Sequence, residues 1–257
     1  MNIRPIQTAE DIQKAYPCST EAPIPFWEDG LPMCREWMAQ NLGKHIEGLH
    51  LEDGSGTVIG HIYWAPSQQA LAPYEIEDGV AYIYCDWVQE QFRQRGGAHI
   101  LFQELVDQLR SKNYKGILVD GTDFEGYMYY GHYLKRGFRI IQEQEGSRLM
   151  YYPLRNASIE VKRLPARIPK PGGSSVEIFV IGSCFCPVGA SALLAVRKVA
   201  RELGEQVVLK EVPASLEAIK RYGLADGIFI NGKAKFLGPV SEDQVRRVIE
   251  AELTQTK

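Results

Sequence analysis

The chain has 257 residues, 45% of them apolar and 24% charged, with a formal net charge of -3. This is the balance of a soluble globular protein, long enough for two domains with separate cores. It excludes generic nucleic-acid binding, which calls for a surplus of positive charge, and leaves room for local basic sites that hold a small anion.

No apolar run approaches the length needed to span a bilayer, so no membrane partner is expected. The start, MNIRPIQTAEDIQ, is polar and charged within its first turns, unlike a signal peptide. Five cysteines, at positions 18, 34, 85, 184 and 186, are an odd number without the spacing of a disulfide framework. A reducing compartment, the cytoplasm, is the simpler home, and any cysteine pair is then a candidate for chemistry.

In chain order, a first helix is followed by two strands joined around Asp53-Gly54-Ser55-Gly56, a hairpin signal. GVAYIYCDWV predicts a third strand, aromatic and β-branched. Next, FRQRGGAHILFQEL places two arginines and two glycines directly before a helix whose apolar face is Leu101, Phe102, Leu105, Val106 and Leu109. A short strand (YKGILVDG), a helix (YMYYGHYLKR) stopped by Gly137, and a closing pair of strands complete this part.

Residues 154–175 mix basic side chains with three prolines and a Gly-Gly pair, and their later half reads as a linker or as a loop tethered to one domain. The expected division is 1–155, linker 156–175, and 176–257. The last part reads strand, helix, strand, helix, a hairpin turning at Asn231-Gly232, and a helix opened by a capping box of Ser241 and Gln244.

A helix start offers backbone N–H groups that have no partner within the helix and carry partial positive charge. Glycine lets a phosphate approach them, and arginine adds charge-assisted bonds. Arg93, Arg95, Gly96, Gly97 and Ala98 thus form a candidate pyrophosphate seat, or else an ordinary turn with two surface arginines.

The sequence resembles the GNAT family of acyl-CoA-dependent N-acetyltransferases over residues 1–155. Arg93-Gln94-Arg95-Gly96-Gly97-Ala98 fits the family's R/Q-x-x-G-x-G/A, with Val88 at the strand end. Downstream, HYLKRGF fits Y-x-x-x-G-F, with Tyr133, Gly137 and Phe138 in register. The resemblance implies an α/β (α+β) acyl-CoA-binding fold, with a mixed twisted sheet and flanking helices. It implies acetyl-CoA as cosubstrate and CoA as product, with a primary amine of a small molecule or peptide as acceptor. It places the cofactor against Cys85, Asp86, Trp87 and Val88 and against the loop from Arg93 through Gln94 to Ala98, and it gives Tyr133 the role of acid toward the departing thiolate. Gly126 stands where the family often has asparagine.

Transfer to an amine needs a base or a water chain, and Asp86 is the first candidate, with Glu77 and Asp78 as others. Glu75, Glu77 and Asp78 form either an acidic approach for a cationic amine or plain surface. Trp27 and Trp37, in the proline-broken stretch 16–37, are candidates to line an acceptor pocket or to pack a core.

In the last part, Cys184 and Cys186 lie between a strand and a helix that opens on Pro187, where the helix N-terminus favours thiolate. Residues 176–257 resemble the thioredoxin fold, with C-x-C in place of C-x-x-C and Asp226-Gly227 where that fold has its cis-proline. A redox thiol pair, a degenerate recognition module and, ranked last, a soft-metal site all remain open. The combination is similar to the YoaP-like group of predicted acetyltransferases. Alternatives to the transferase are a thiol-redox or thiol-dependent binding protein with an acyl-CoA-responsive module, and a non-catalytic binding protein.

Overall fold

The computed structural model describes residues 1–93, 95–144, 146–156, 158–173, 175–182, 185–236 and 238–255. Gln94 and Cys184, both candidate site residues, lie outside them. The chain divides into two compact units.

The first unit takes in Met1–Glu21, Asn41–Ala70 and Glu75–Lys162. Up to its central strands the chain forms β1 (Asn2–Pro5), α1 (Ala9–Gln13), α2 (Leu31–Asn41, which falls in the second unit up to Gln40), β2 (Glu47–Glu52), β3 (Val58–Pro66), β4 (Tyr74–Ile76) and β5 (Val80–Val88). It continues through α3 (Glu90–Arg93), α4 (Gly97–Ser111), β6 (Gly116–Thr122), α5 (Tyr130–Lys135), β7 (Arg139–Gln144), β8 (Ser147–Pro153) and β9 (Val161–Arg163).

Seven strands form one sheet in the order β1-β2-β3-β5-β6-β8-β7. β5 and β6 run parallel and the other neighbours antiparallel. The predicted apolar face of α4 is buried against Ile62, Trp64, Ala81, Ile83 and Val88, so the helical repeat found in the sequence is the seam of the main core. Within the expected linker, residues 161–163 form β9, which pairs with β4 in a small sheet of its own.

Two features of β5 open a gap in the sheet. Its register with β3 slips at Tyr63/Trp64, leaving Tyr84 as an extra residue on β5, a bulge that bends the strand. Its pairing with β6 runs only from Val80↔Gly116 to Ile83↔Val119. Past that point β5 stays with β3 up to Val88, and β6 stays with β8 up to Thr122. The two parallel strands part like a wedge.

The second unit takes in Ala22–Gln40, Leu71–Tyr74 and Arg163–Lys257. Its elements are β10 (Val176–Gly182), α6 (Pro187–Leu203), β11 (Val207–Pro213), α7 (Leu216–Tyr222), β12 (Gly227–Ile230), β13 (Lys233–Ala234) and α8 (Glu242–Gln255). The sheet order is β11-β10-β12-β13, with β10 parallel to β11 and antiparallel to β12. Ile178, Val180, Val196, Val199, Ile230, Val245 and Ile249 form its core. Asn231 and Gly232 make the β12–β13 turn with φ of 49° and 75°, the left-handed pair that a two-residue hairpin requires. Ser241 and Gln244 exchange the two bonds of a capping box.

The units are therefore not contiguous, and the expected first domain loses residues 22–40 to the second unit. Gly30 supplies a physical reason. A Cβ there would stand 2.3 Å from the Pro187 carbonyl oxygen and 2.7 Å from the Ser191 nitrogen, so glycine alone lets this segment lie against the start of α6.

Candidate active site

The corner between β5 and α4 is bare backbone. Gly96 caps α4 with φ of 79°, a left-handed conformation that suits glycine, and a Cβ built there meets nothing within 4 Å. Among the described residues no side-chain cap bond is made at Gly96, and the first intrahelical bond runs from Ile100 N–H to Gly96 O at 3.0 Å. The amides of Gly97, Ala98 and His99 thus open the helix without acceptors inside it. Gly97 is needed for another reason: its Cβ would stand 2.8 Å from Leu51 Cδ2, so glycine brings α4 close to β2. Arg93 is held by its Nε, which donates to Val88 O at 2.9 Å, and its guanidinium lies 5.8 Å from the Trp87 ring centre. Arg95 lies exposed over Phe92.

In the wedge, one carboxylate gathers three elements. Tyr133, from α5, donates its hydroxyl to Asp86 Oδ1 at 2.5 Å. Arg136, just after α5, forms an ion pair with Asp86 Oδ2. The guanidinium also lies against the rings of Tyr133 and Phe102. Met128 reaches in from the loop between β6 and α5; its Sδ accepts from the Asp86 backbone N–H at 3.4 Å and lies 3.0 Å from Tyr133 Oη.

Charge states follow from this packing. Burial pushes the Asp86 carboxyl up, but the Arg136 charge and the bonds from Tyr133 and Arg136 outweigh it and hold the group below its ordinary value. Burial, reinforced by the Asp86 charge, pushes the Tyr133 phenol well above its ordinary value. At neutral pH the site therefore holds a carboxylate, a guanidinium and a protonated phenol that is 1% exposed. The carboxylate is a weak base with both oxygens engaged.

Residues 9–130 match the family model of the acetyltransferase (GNAT) family. The chain carries a GNAT acetyltransferase domain. It is an acyltransferase, and its fold is the mixed α/β fold of that family. Solved structures with a similar fold include the ribosomal-protein-S18-alanine N-acetyltransferase of Escherichia coli, at 15% identity and TM-score 0.44, covering 61% of this chain and 96% of that one. A second Escherichia coli GNAT N-acetyltransferase, solved with CoA, is 19% identical with TM-score 0.45, covering 60% and 82%. The PaiA N-acetyltransferase of Thermoplasma acidophilum, solved with coenzyme A, is 16% identical with TM-score 0.42, covering 60% and 99%. A comparison with curated proteins gives no match. No helix among the described residues is long and apolar enough to cross a membrane.

The GNAT domain brings together Cys85, Asp86, Trp87 and Val88 on β5, the described part of the loop from Arg93 to Ala98, and Tyr133. It does not bring Glu77 to them. Glu77 precedes β5 and pairs with Lys115 at 3.1 Å, at the opposite end of the strand from Asp86. Six residues of strand separate Val80 from Asp86, about 20 Å at ~3.3 Å per residue. Glu75 is likewise turned to Lys162. The acidic approach expected from 75–78 belongs to the far end of the sheet. Trp27 and Trp37 fall in the second unit, Trp27 edge-on to Phe26 and Trp37 edge-on to Phe185.

Cys186 stands at the N-cap of α6, where the backbone N–H groups of Gly189 and Val188 favour its thiolate. Burial nevertheless pushes its thiol above the ordinary value, so the expected thiolate does not form readily. No group of three or more potential metal ligands occurs among the described residues.

Two residues of the site escape the sequence reading. Arg136 stands three positions after Tyr133, on the same helical face, a spacing that marks it as a neighbour. Met128 carries no sequence signal at all. On the other face of the sheet, His61 stacks on Tyr63 at 4.1 Å, and burial holds it neutral with a pKa of about 3. It contributes no base to the wedge.

Proposed function

We propose that this chain transfers the acetyl group of acetyl-CoA to a primary amine of a small molecule or peptide by direct attack. The observation that carries this reading is the bare corner at Gly96 and Gly97 placed at the mouth of the β5–β6 wedge. A pyrophosphate fits a helix start with open amides, no Cβ at its cap and two arginines beside it. The edge of β5 beyond its pairing with β6, residues 85–88, suits the amide-bearing pantetheine arm as a substitute strand.

In the reaction the amine nitrogen attacks the thioester carbonyl, the C–S bond breaks, and Tyr133 gives its proton to the departing sulfur. The amine loses a proton to solvent, CoA leaves as a thiol, and the Tyr133 oxygen takes a proton back from solvent. Tyr133 suits this part because its environment keeps it protonated. Asp86 and Arg136 position the phenol; Asp86, engaged on both oxygens, is a poor candidate for the base. The β-α-β-α-β-β-α order of the second unit and its sheet order support reading it as a thioredoxin-like accessory module, as in the YoaP-like group. The raised Cys186 thiol favours acceptor recognition over disulfide exchange as its use.

Calorimetry with acetyl-CoA and mass spectrometry of a panel of amines test the proposal. Binding and acetylation are expected, and Tyr133→Phe should lower kcat about 100-fold while leaving the acetyl-CoA KM near its original value. An absence of acetyl-CoA binding, or an unaltered kcat in Tyr133→Phe, rules it out.

A further inference from the structure

Residues 123–127 of the loop between β6 and α5 are exposed, with Phe124 at 69% and Tyr127 at 43%, yet the next residue, Met128, is 8% exposed. One side chain therefore dives inward from a solvated loop. Its backbone has φ of 47°, a left-handed conformation that a non-glycine residue adopts only when its surroundings impose it. The loop is closed over it by Thr122, whose N–H donates to Met128 O at 2.8 Å and whose hydroxyl donates to Tyr127 O.

The inward end of Met128 meets the two donors that a thioester needs. One is the N–H of Asp86, on β5 beyond the reach of β6, which donates to the Sδ; the other is the Tyr133 hydroxyl, whose oxygen lies 3.0 Å from the Sδ while its hydrogen bond is given to Asp86. A thioether is a weak acceptor, whereas both donors bond more strongly to a carbonyl oxygen or a developing thiolate.

We infer that Met128 is a built-in plug that occupies the thioester seat of the acetyl-CoA site and must swing out, with its loop, before the cosubstrate engages. This rests on the proposed acetyl-CoA reading and adds a competition internal to the chain. Binding draws only on the unplugged fraction, so the apparent affinity is weakened by that fraction. With the plug seated about nine-tenths of the time, its removal tightens binding about tenfold. The strained backbone and the exposed flanks make the open form accessible: opening releases the left-handed φ, and it withdraws one side chain from the rim of the core around Tyr133.

Two measurements decide it. Met128→Gly removes the thioether and accepts the positive φ; titrated with acetyl-CoA in a calorimeter, it should bind about tenfold more tightly than the unmodified chain. Separately, in the unmodified chain labelled on its methionine methyl groups, the Met128 resonance, assigned by its loss in Met128→Leu, should move to the position of a solvent-exposed methyl when acetyl-CoA is added. Unchanged or weaker binding by a folded Met128→Gly overturns the plug and leaves the transferase reading intact. A Met128 resonance that stays in place while acetyl-CoA binds does the same, and it decides alone if Met128→Gly does not fold. If acetyl-CoA binds none of these chains, the transferase reading falls and the plug with it.

Discussion

The corner where β5 leads into α4 and the corner where β10 leads into α6 share a plan: a buried strand, a sharp turn and the N-terminus of a long helix. Their helix starts are used in opposite ways. At α4 no side-chain cap bond is made among the described residues, Gly96 opens the first turn in a left-handed conformation, and a Cβ there would meet nothing within 4 Å. At α6 the chain covers its own helix start: Cys186 stands at the N-cap with its thiol buried, Pro187 removes a donor, and Gly30 packs on the Pro187 carbonyl and the Ser191 nitrogen. The same dipole and the same kind of helix start stand open in one case, where an outside anion is proposed to bind, and lie beside a buried internal thiol in the other. A strand–turn–helix corner does not announce a ligand. What matters is whether the chain has already covered the amides itself.

The sharpest way to break this comparison is to put a charge on the open corner. Gly96→Glu places a carboxylate where the anion is expected and forces a left-handed φ on a residue with a Cβ. The conformational cost is about 1 kcal/mol, and no steric clash adds to it. Loss of two charge-assisted bonds to a phosphate amounts to about 3 kcal/mol, or on the order of 100-fold in affinity. Calorimetry should therefore show acetyl-CoA binding weakened about 100-fold, with a melting point lowered only modestly. Cys186→Ala, which vacates the other helix start, should leave acetyl-CoA affinity within about twofold. Equal losses from the two changes would mean that the corners are not functionally distinct.

The contrast also shows what a sequence can disclose. The loop from Arg93 to Ala98 and the Tyr133-to-Phe138 motif are local patterns, legible without coordinates. The Asn231-Gly232 turn and the Ser241–Gln244 box are local too, and both form as expected. What stayed hidden depends on partners remote in sequence. Asp86 looked like a base because nothing near it in sequence discloses Arg136, fifty positions away. Glu77 looked like part of an acceptor site because nine residues is a short separation in sequence but most of a strand's length in space. Residues 22–40 looked like part of the first domain because Gly30 has no signature beyond being glycine. Met128 needed a backbone conformation that composition does not encode.

A second test compares the glycines that allow close approach at each corner. At Gly97 the obstacle to a Cβ is Leu51 Cδ2 at 2.8 Å, the end of a flexible side chain that can turn aside. At Gly30 it is the Pro187 carbonyl oxygen at 2.3 Å and the Ser191 nitrogen at 2.7 Å, backbone atoms fixed in α6. Gly30→Ala should therefore cost about 2–3 kcal/mol by overpacking, and Gly97→Ala about 1 kcal/mol or less. Denaturant unfolding with a probe for each unit measures both. The reverse order would show that the close packing of residues 22–40 on α6 is not what holds that segment in place.

The smallest effect concerns the filled corner. A thiol at a bare helix start has a lowered pKa; at Cys186 burial and the nearby Asp226 charge oppose the two amides, and the net direction is upward. A raised thiol pKa leaves less thiolate at neutral pH, so Cys186 should react with iodoacetamide more slowly than the same cysteine in the unfolded chain. Its rate should still be climbing at pH values above about 8.5, where an ordinary thiol levels off. Mass spectrometry of the Cys186 peptide follows this residue apart from the other cysteines. Asp226→Asn removes the opposing charge, should bring the midpoint down, and should quicken the reaction at pH 7. If Cys186 instead reacts fast at neutral pH in the unmodified chain, the amides of Val188 and Gly189 outweigh burial, and the two helix starts differ in what they hold rather than in how strongly they attract negative charge.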